Sequence, residues 1–182
     1  MYGGMERPVY DERERRLPMS AEDVVALLGL MEGIDVWLEG GWGVDALLGE
    51  QTREHDDLDL VVAGSDVPLL VEALGHEGYE VAKGQLPTCI VLLDPAGRQV
   101  EVHPVAFNEA GDGIYRMEDG RDWAYPSAGF AGRGSIGGQS VPCLTPEVQV
   151  LCHAGYELAE TDHHDLAVLR ERFGVSTGTS VT

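Results

Sequence analysis

The sequence LEGGWGVDALLGEQTREHDDLDL, residues 38–60, joins a glycine pair to an alternating Asp-Leu-Asp-Leu segment. In a β-strand, Asp57 and Asp59 would leave one face while Leu58 and Leu60 pack on the other. Two adjacent carboxylates repel each other unless a cation lies between them, and Mg²⁺ commonly takes one or two carboxylates together with phosphate oxygens. The segment therefore predicts a divalent metal site, with a solvated strand face as the plain alternative.

Gly40 and Gly41 separate the apolar run at residues 36–38 from a predicted short helix at residues 42–48. Glycine lets a ligand approach the backbone closely, and the first turn of a helix presents free N–H groups to an anion. An ordinary turn is the alternative for the glycine pair alone. Beside the two aspartates, the pair predicts a phosphate-binding turn next to a metal.

A third carboxylate, Glu101, lies further along the chain. Three segments have the pattern of strands in an antiparallel meander, at residues 79–83, 88–93 and 99–105. In the last of them Glu101 and His103 share one face, and two valines share the other. If this strand pairs beside the Asp-Leu-Asp-Leu segment, Glu101 joins the two aspartates in one cluster.

Capping and turn residues predict the other helices. Ser20 and Asp23 form a capping-box pattern, and Asp162 is expected to cap the last helix. The predicted helices run from Ser20 to about Met31, over residues 67–76, over residues 146–158, and from Asp162 to Gly174. Residues 107–140 are rich in glycine and lack clear periodicity, which predicts an ordered loop region.

The aromatic residues of that loop region, Trp123, Tyr125 and Phe130, either contact a ligand or anchor the loops on the core. The length of 182 residues suits one domain. Its expected parts are a flexible arm at 1–16, a domain at 17–174 with a core at 20–106, loops at 107–140 and C-terminal helices at 145–174, and a tail at 175–182.

The charge of the chain restricts its partners. The sequence has 12 basic and 32 acidic side chains, a formal net charge of −20, and a single lysine, Lys83. Such a surface repels nucleic acid and attracts a cationic small molecule, although acidity can also serve solubility alone. We therefore expect no nucleic-acid partner.

Cysteine usage and hydropathy point to the cytoplasm. Cys89, Cys143 and Cys152 are widely spaced and form no C-x-x-C pair, which argues against a disulfide framework or a structural zinc and predicts buried free thiols. No apolar run approaches the roughly 20 residues that span a bilayer. The charged N-terminal segment lacks the apolar region of a secretory signal, so a cytoplasmic protein without membrane contact is expected.

In their order, these motifs resemble those of the nucleotidyltransferase superfamily with the DNA polymerase β palm fold. The resemblance is strongest to small antibiotic nucleotidyltransferases of the lincosamide type and weaker to aminoglycoside 2''-nucleotidyltransferases. It is carried by the opening segment, by VEVHPV at residues 100–105 and by HAGYELAETDHHDLAVL at residues 153–169. It implies an α/β (α+β) fold, with a mixed sheet flanked by helices and a small C-terminal helical portion.

The same resemblance implies roles for individual residues. It makes Asp57, Asp59 and Glu101 the ligands of Mg²⁺, with two ions expected. Lincosamide-type sequences usually have aspartate at the third position, so Glu101 is expected to act as metal ligand, as general base, or as both. The nucleotide-binding residues implied are Gly40, Gly41, Trp42, Arg53 and His55. The acceptor-binding residues implied are His103, Tyr156, Glu157, Asp162 and His163, with residues 107–140 as acceptor loops.

The implied reaction is transfer of a nucleoside monophosphate, AMP from ATP or another triphosphate, to a hydroxyl of a cationic antibiotic of the lincosamide type. This activity would confer antibiotic resistance. An aminoglycoside acceptor, a macromolecular acceptor of a toxin-type enzyme, and a drug-binding module without turnover are the alternatives. Either a monomer or a homodimer is compatible with the sequence.

Four polar residues carry further expectations. Arg53 either neutralises the leaving pyrophosphate or forms a surface salt bridge with Glu54 or Glu50. His55 is expected to orient the aspartate loop or to contact phosphate. The pair at residues 163 and 164 does not have zinc-ligand spacing, because adjacent helical residues point in different directions.

Overall fold

A computed structural model describes residues 17–176. The predicted arm at 1–16 and residues 177–182 of the predicted tail lie outside the described residues. The helices are α1 (Ala21–Leu30), α2 (Gly40–Leu48), α3 (Val67–Gly75), α4 (Pro146–Cys152) and α5 (Glu160–Phe173). The strands are β1 (Val36–Glu39), β2 (Asp57–Ala63), β3 (Glu80–Gly84), β4 (Ile90–Leu93), β5 (Gln99–Phe107), β6 (Gly113–Arg116), β7 (Asp122–Tyr125), β8 (Arg133–Ile136) and β9 (Gln139–Pro142).

Seven of these strands form a mixed sheet in which β1, β2, β5, β4 and β3 are neighbours in that order. β2 and β5 are parallel, and every other pair in this sheet is antiparallel. β4 pairs with the first half of β5 and β6 with its last three residues, so both extend the sheet on the same side of β5. The predicted α/β (α+β) fold with a mixed sheet and flanking helices is confirmed.

The two faces of the sheet differ in chemistry. One face carries aliphatic residues from β1, β2 and β5, which pack against α1 and α3 in a continuous hydrophobic core. Side chains alternate between faces along a strand, so the acidic residues of the same strands leave the opposite face. That face is partly covered by a second apolar cluster that includes Tyr115, Trp123 and Tyr125. The pleat thus separates the main core from the polar site.

Local signals explain where α1 and α2 begin. Ser20 and Asp23 form the predicted capping box, with Ser20 Oγ accepting from Asp23 N at 3.1 Å and Asp23 Oδ2 accepting from Ser20 N at 2.9 Å. Such a cap contributes about 1 kcal/mol. α2 was predicted to start at Trp42, but it begins at Gly40, directly after β1. Gly40 has φ +62, a conformation that only glycine adopts without strain. The chain therefore passes from β1 into α2 without a connecting loop.

The prediction of a loop region at residues 107–140 is wrong. These residues contain β6, β7, β8, the first half of β9 and a short 3-10 turn at Ser127–Ala131. The four strands have only four residues each, so alternation is too brief to stand out among the surrounding glycines. Of the predicted alternatives for the aromatic residues, core anchoring holds for Trp123 and Tyr125, which are buried.

The C-terminal helices also differ from their predictions. α4 was expected to reach Leu158, but it ends at Cys152. Asp162 is not the N-cap residue of the last helix, because Ala159 occupies that position. Asp162 caps the helix from its first turn instead, where its carboxylate accepts from Ala159 N at 2.8 Å. Gly174 ends α5 in the left-handed conformation, as predicted. Within residues 17–176, no helix is long and apolar enough to cross a membrane.

Candidate active site

Three carboxylates meet on the polar face of the sheet. Asp59 pairs directly with Glu101 across the parallel strands β2 and β5, and Asp57 lies two residues earlier on β2. One carboxylate oxygen from each of Asp57, Asp59 and Glu101 lies within 4.8 Å of the others. The aspartates are partly exposed and Glu101 is buried. Oxygen ligands in this arrangement fit Mg²⁺, which accepts a few carboxylates and leaves positions for phosphate oxygens.

The glycine pair packs against this cluster. A Cβ at position 40 would overlap the carboxylate of Asp59. A Cβ at position 41 would overlap the imidazole of His55 and the guanidinium of Arg53. The backbone at the start of α2 therefore lies between a predicted metal ligand and a cation, where a helix N-terminus favours an anion.

Arg53 is held by the C-terminal helix. Its Nε and Nη2 donate to the two oxygens of Asp165 at 2.8 and 2.7 Å, so the predicted surface salt bridge with Glu54 or Glu50 is wrong. The only contact of Arg53 with residue 54 among the described hydrogen bonds is a donation to its backbone oxygen. Burial alone would raise the pKa of Asp165, but hydrogen bonds from Arg53 and His153 outweigh burial and lower that pKa to about 2.

A second chain of contacts runs behind the glycine pair. His55 is buried, and its Nε2 lies 2.5 Å from Asp45 Oδ2. Asp45 also accepts from the Thr52 hydroxyl at 2.6 Å, and Thr52 Oγ1 lies 2.9 Å from His164 Nε2. Since the hydroxyl proton is directed at Asp45, His164 Nε2 is the donor in the last contact. His55 thus connects the aspartate loop to α2, and its expected orienting role stays a prediction.

Glu39 is a carboxylate of this face that the sequence reasoning missed. It pairs with Asp59 in the register of β1 and β2, is 4% exposed, and accepts from the Tyr125 hydroxyl at 2.7 Å. Its Oε2 lies 3.7 Å from His103 Nδ1. Burial and Glu39 raise the pKa of Tyr125 well above its ordinary value, so its hydroxyl stays protonated. The sequence did contain a signal for Glu39, because it is an acidic residue that ends an apolar strand directly before the two glycines.

The structure separates the other predicted nucleotide and acceptor residues by accessibility. Trp42 is buried in the main hydrophobic core, and its ring packs 4.5 Å from that of His55. His103 is buried beside Tyr115, with the ring centroids 5.4 Å apart. Burial opposes a charged His103, but Cys89 and then Glu39 raise its pKa well above the ordinary value.

The predicted acceptor residues near α5 fall into two groups. Glu157 and His163 are exposed and Tyr156 is half-buried, so a ligand in solvent can reach them. Asp162 is fully buried, and its Oδ1 lies 3.7 Å from His153 Nε2. Asp162 therefore supports the start of α5 from inside the protein.

The sheet, its carboxylate cluster and the glycine turn define a nucleotidyltransferase. The aminoglycoside-2''-adenylyltransferase family matches residues 22–169. The chain belongs to that family. It is 30% identical over 154 residues to a lincosamide resistance protein of Staphylococcus haemolyticus, and this alignment covers 84% of this chain and 95% of that protein. A 2''-aminoglycoside nucleotidyltransferase of Escherichia coli is 44% identical over 50 residues, covering 26% of this chain and 28% of that enzyme.

Solved structures support the same fold. The lincosamide antibiotic adenylyltransferase LnuA, crystallised with lincomycin, superposes with a TM-score of 0.75 at 29% identity, covering 85% of this chain and 98% of that one. ANT(2'')-Ia in complex with adenylyl-2''-tobramycin has a TM-score of 0.67 at 18% identity, covering 83% and 87% of the two chains. The predicted resemblance, fold and enzyme class are therefore confirmed.

Proposed function

We propose that the protein transfers AMP from ATP to a hydroxyl group of a lincosamide antibiotic in a Mg²⁺-dependent reaction, and thereby confers resistance. The observation that carries the proposal is the juxtaposition of the carboxylates of Asp57, Asp59 and Glu101 with the glycine turn at Gly40. It supplies metal-binding oxygens next to backbone that a phosphate can approach. Relatives named for this chemistry match the chain along most of its length.

The extent of similarity favours a lincosamide over an aminoglycoside. The lincosamide resistance protein aligns over 84% of the chain, whereas the 2''-aminoglycoside enzyme of Escherichia coli aligns over 26%. Acceptor recognition depends on the whole domain, so similarity along the full chain carries more information about the acceptor than similarity within one segment. An aminoglycoside remains the second candidate, because the net charge of −20 attracts a polycation more strongly than a monocation.

Asp57, Asp59 and Glu101 would hold the metal, for which we propose two Mg²⁺ ions. When bound, such ions neutralise charge on the phosphate and on the attacking and leaving oxygens. The fit rests on the donor set, three carboxylates with oxygens within 4.8 Å of one another. Asp57 and Asp59 are the more accessible ligands, and Glu101 approaches from the buried side.

The chain's own groups would perform the other tasks. Glu101 takes the proton of the acceptor hydroxyl, a contribution of about 10² to 10⁴ in rate for a well-placed base. The backbone N–H groups of Gly40 and Gly41 hold phosphate oxygens. Arg53, fixed by Asp165 and lying against Gly41, neutralises the charge of the departing pyrophosphate.

On the acceptor side, accessibility selects among the predicted residues. Tyr156, Glu157 and His163 lie at or near the start of α5 and are open to solvent, so we propose that they contact the antibiotic. Glu157 would pair with its basic amine. Asp162, which is buried, would support the start of α5 from inside. His103 is also buried but lies beside Tyr115 and Glu39.

The test is pyrophosphate release from Mg·ATP by the purified protein in the presence of lincomycin, clindamycin or an aminoglycoside panel. We expect release only with lincosamides, together with a product that carries one adenylyl group by mass spectrometry. The matched control is Asp59→Asn, which keeps the size of the side chain and removes the charge. Release with aminoglycosides alone would establish the second candidate, and transfer of labelled AMP to protein or RNA would contradict both.

A further inference from the structure

We propose that Cys89, Glu101 and His103 form a buried binding site for Zn²⁺, distinct from the site formed by Asp57, Asp59 and Glu101. The sulfur of Cys89, a carboxylate oxygen of Glu101 and a ring nitrogen of His103 all lie within 4.8 Å of one another. The three residues are 4%, 6% and 7% exposed. The sequence does not predict this site, because its ligands come from neighbouring strands and have no zinc-finger spacing.

The strand pairing explains how the three residues meet. Glu101 and His103 leave the same face of β5 because they are two residues apart. Cys89 directly precedes β4, whose first residue, Ile90, pairs with Val102. The sulfur is therefore brought beside the two β5 side chains at the same end of the sheet.

The donor set selects the metal. Thiolate and imidazole are ligands that Zn²⁺ prefers, whereas Mg²⁺ prefers oxygen alone. One thiolate and one carboxylate would cancel the charge of a divalent ion, which suits a buried position. Three protein ligands leave the fourth tetrahedral position open, in contrast to the four protein ligands of a structural zinc.

The surroundings contain a partner of the kind that orients a metal-bound histidine. Such histidines usually donate their second ring N–H to a carboxylate. His103 Nδ1 is buried and forms no hydrogen bond within residues 17–176, and Glu39 Oε2 is 3.7 Å away. Glu39 is fixed by the Tyr125 hydroxyl at 2.7 Å. A small rotation of the ring would complete a carboxylate–histidine–zinc arrangement.

Zinc at this site would act on catalysis through Glu101. Glu101 belongs both to this triad and to the carboxylate cluster, so a bound Zn²⁺ would withdraw that carboxylate from Mg²⁺. We infer that Zn²⁺ reversibly inhibits the enzyme. This consequence rests on the proposed function, but metal binding itself does not.

The decisive experiment is a titration of the full-length protein with Co²⁺ in the absence of nucleotide. A thiolate-to-cobalt charge-transfer band that saturates at one equivalent and disappears on addition of Zn²⁺ is the expected result. Cys89→Ser should abolish the band, and Cys143→Ser, a matched change at another buried cysteine, should retain it. A spectrum with oxygen ligands alone would place the metal at the aspartates and overturn the proposal.

Two further variants keep the test independent of folding and of turnover. The double variant C143S/C152S leaves Cys89 as the single cysteine, and the band must persist in it. Glu39→Gln should weaken Zn²⁺ binding by about 10- to 100-fold, the usual effect of removing a partner of a metal-bound histidine. An unchanged affinity in that variant, or a band that survives Cys89→Ser, would contradict the assignment. If Zn²⁺ binds as described while no antibiotic is modified, only the proposed function fails.

Discussion

Arg53 donates two hydrogen bonds to Asp165, at 2.8 and 2.7 Å, across a separation of 112 residues. The pair joins the loop before β2 to α5, and the Arg53 guanidinium lies against Gly41. The side chain of Asp165 is 2% exposed and that of Arg53 is 20% exposed. Bidentate geometry and burial distinguish this pair from ordinary surface ion pairs, which contribute little to stability. The C-terminal helix therefore holds the loop before β2 beside the glycine pair.

Asp165→Asn should lower the free energy of unfolding and make that free energy less dependent on pH in the acid range. The folded-state pKa of Asp165, about 2, lies below the ordinary value of 3.8 for an aspartate. A lowered carboxylate pKa contributes stability that is present above the unfolded pKa and is lost as the pH falls through the folded pKa. The shift corresponds to about 2 kcal/mol of unfolding free energy. Denaturant unfolding of Asp165→Asn between pH 7 and pH 2 should therefore give a lower free energy of unfolding near neutral pH. That free energy should also fall less steeply with acid than it does in the unsubstituted protein.

The control for this measurement is Asp122→Asn. Asp122 pairs with Arg116, but both side chains are about half exposed, so its loss should change the free energy of unfolding by less than about 1 kcal/mol. Equal effects of the two substitutions would indicate that the Asp165 pair is no stronger than a surface ion pair. Asp165→Asn should also raise the KM for ATP, because Arg53 loses its support.

Gly40→Ala should strongly reduce activity, whereas Gly49→Ala should only reduce stability. Both glycines have positive φ, +62 and +75, so an alanine at either position costs about 1–2 kcal/mol of backbone strain. A Cβ at position 40 would also overlap the Asp59 carboxylate, while a Cβ at position 49 meets nothing within 4 Å. Displacing a catalytic group by about 1 Å can cost about 10²-fold in rate. We expect that loss in kcat for Gly40→Ala alone.

Thermal unfolding of the two glycine variants provides the comparison. Similar melting temperatures with very different kcat values would assign the loss to the displaced Asp59 carboxylate. If both variants keep full activity, the close approach of Gly40 to Asp59 has no role in the reaction.

Substitutions in the carboxylate cluster should separate metal binding from proton transfer. Glu101→Gln should lower kcat by about 10² to 10⁴, the range for loss of a general base. Asp59→Asn should be more damaging, because charge neutralisation at the phosphate is usually the larger contribution. A metal chelator should abolish activity of the unsubstituted protein, and added Mg²⁺ should restore it.

Glu101→Asp distinguishes the two roles proposed for this residue. A shorter carboxylate that regains most activity would identify charge near the metal as the main requirement. Loss equal to that of Glu101→Gln would instead indicate that the proton acceptor must lie at the end of the longer side chain. The expected result is partial recovery, measured as kcat at saturating Mg²⁺ and antibiotic.

The predictable part of this fold is the part encoded by local alternation. Asp57 and Asp59 alternate with leucines, and Glu101 alternates with valines, so the pleat fixes their common face before any contact is known. The register that pairs Asp59 with Glu101 then completes the cluster. The parts that could not be predicted depend on distant contacts, such as Asp165 with Arg53, or on strands of only four residues, such as β6 and β7.

The residues missed by sequence reasoning illustrate the same limit. Glu39 ends an apolar strand directly before the glycines, but its buried partner, the Tyr125 hydroxyl, comes 86 residues later in the chain. Cys89 has no recognisable motif, yet strand pairing places it beside two polar side chains of β5. Spacing along the chain carries no information about either encounter, because the two depend on how β4 and β6 pair with β5 and how β7 pairs with β6.

Tyr125→Phe should destabilise the protein by about 1–3 kcal/mol, because it removes the hydroxyl that donates to the buried Glu39 carboxylate. In a Glu39→Gln background the same substitution should cost less, since a hydrogen bond to a neutral amide is weaker than one to a carboxylate. Denaturant unfolding of the four proteins in this double-mutant cycle measures the coupling, expected at about 0.5–3 kcal/mol. Additive effects, with no coupling, would mean that the 2.7 Å contact with Tyr125 does not stabilise Glu39. The hydroxyl of Tyr125 would then not be what holds Glu39 near His103.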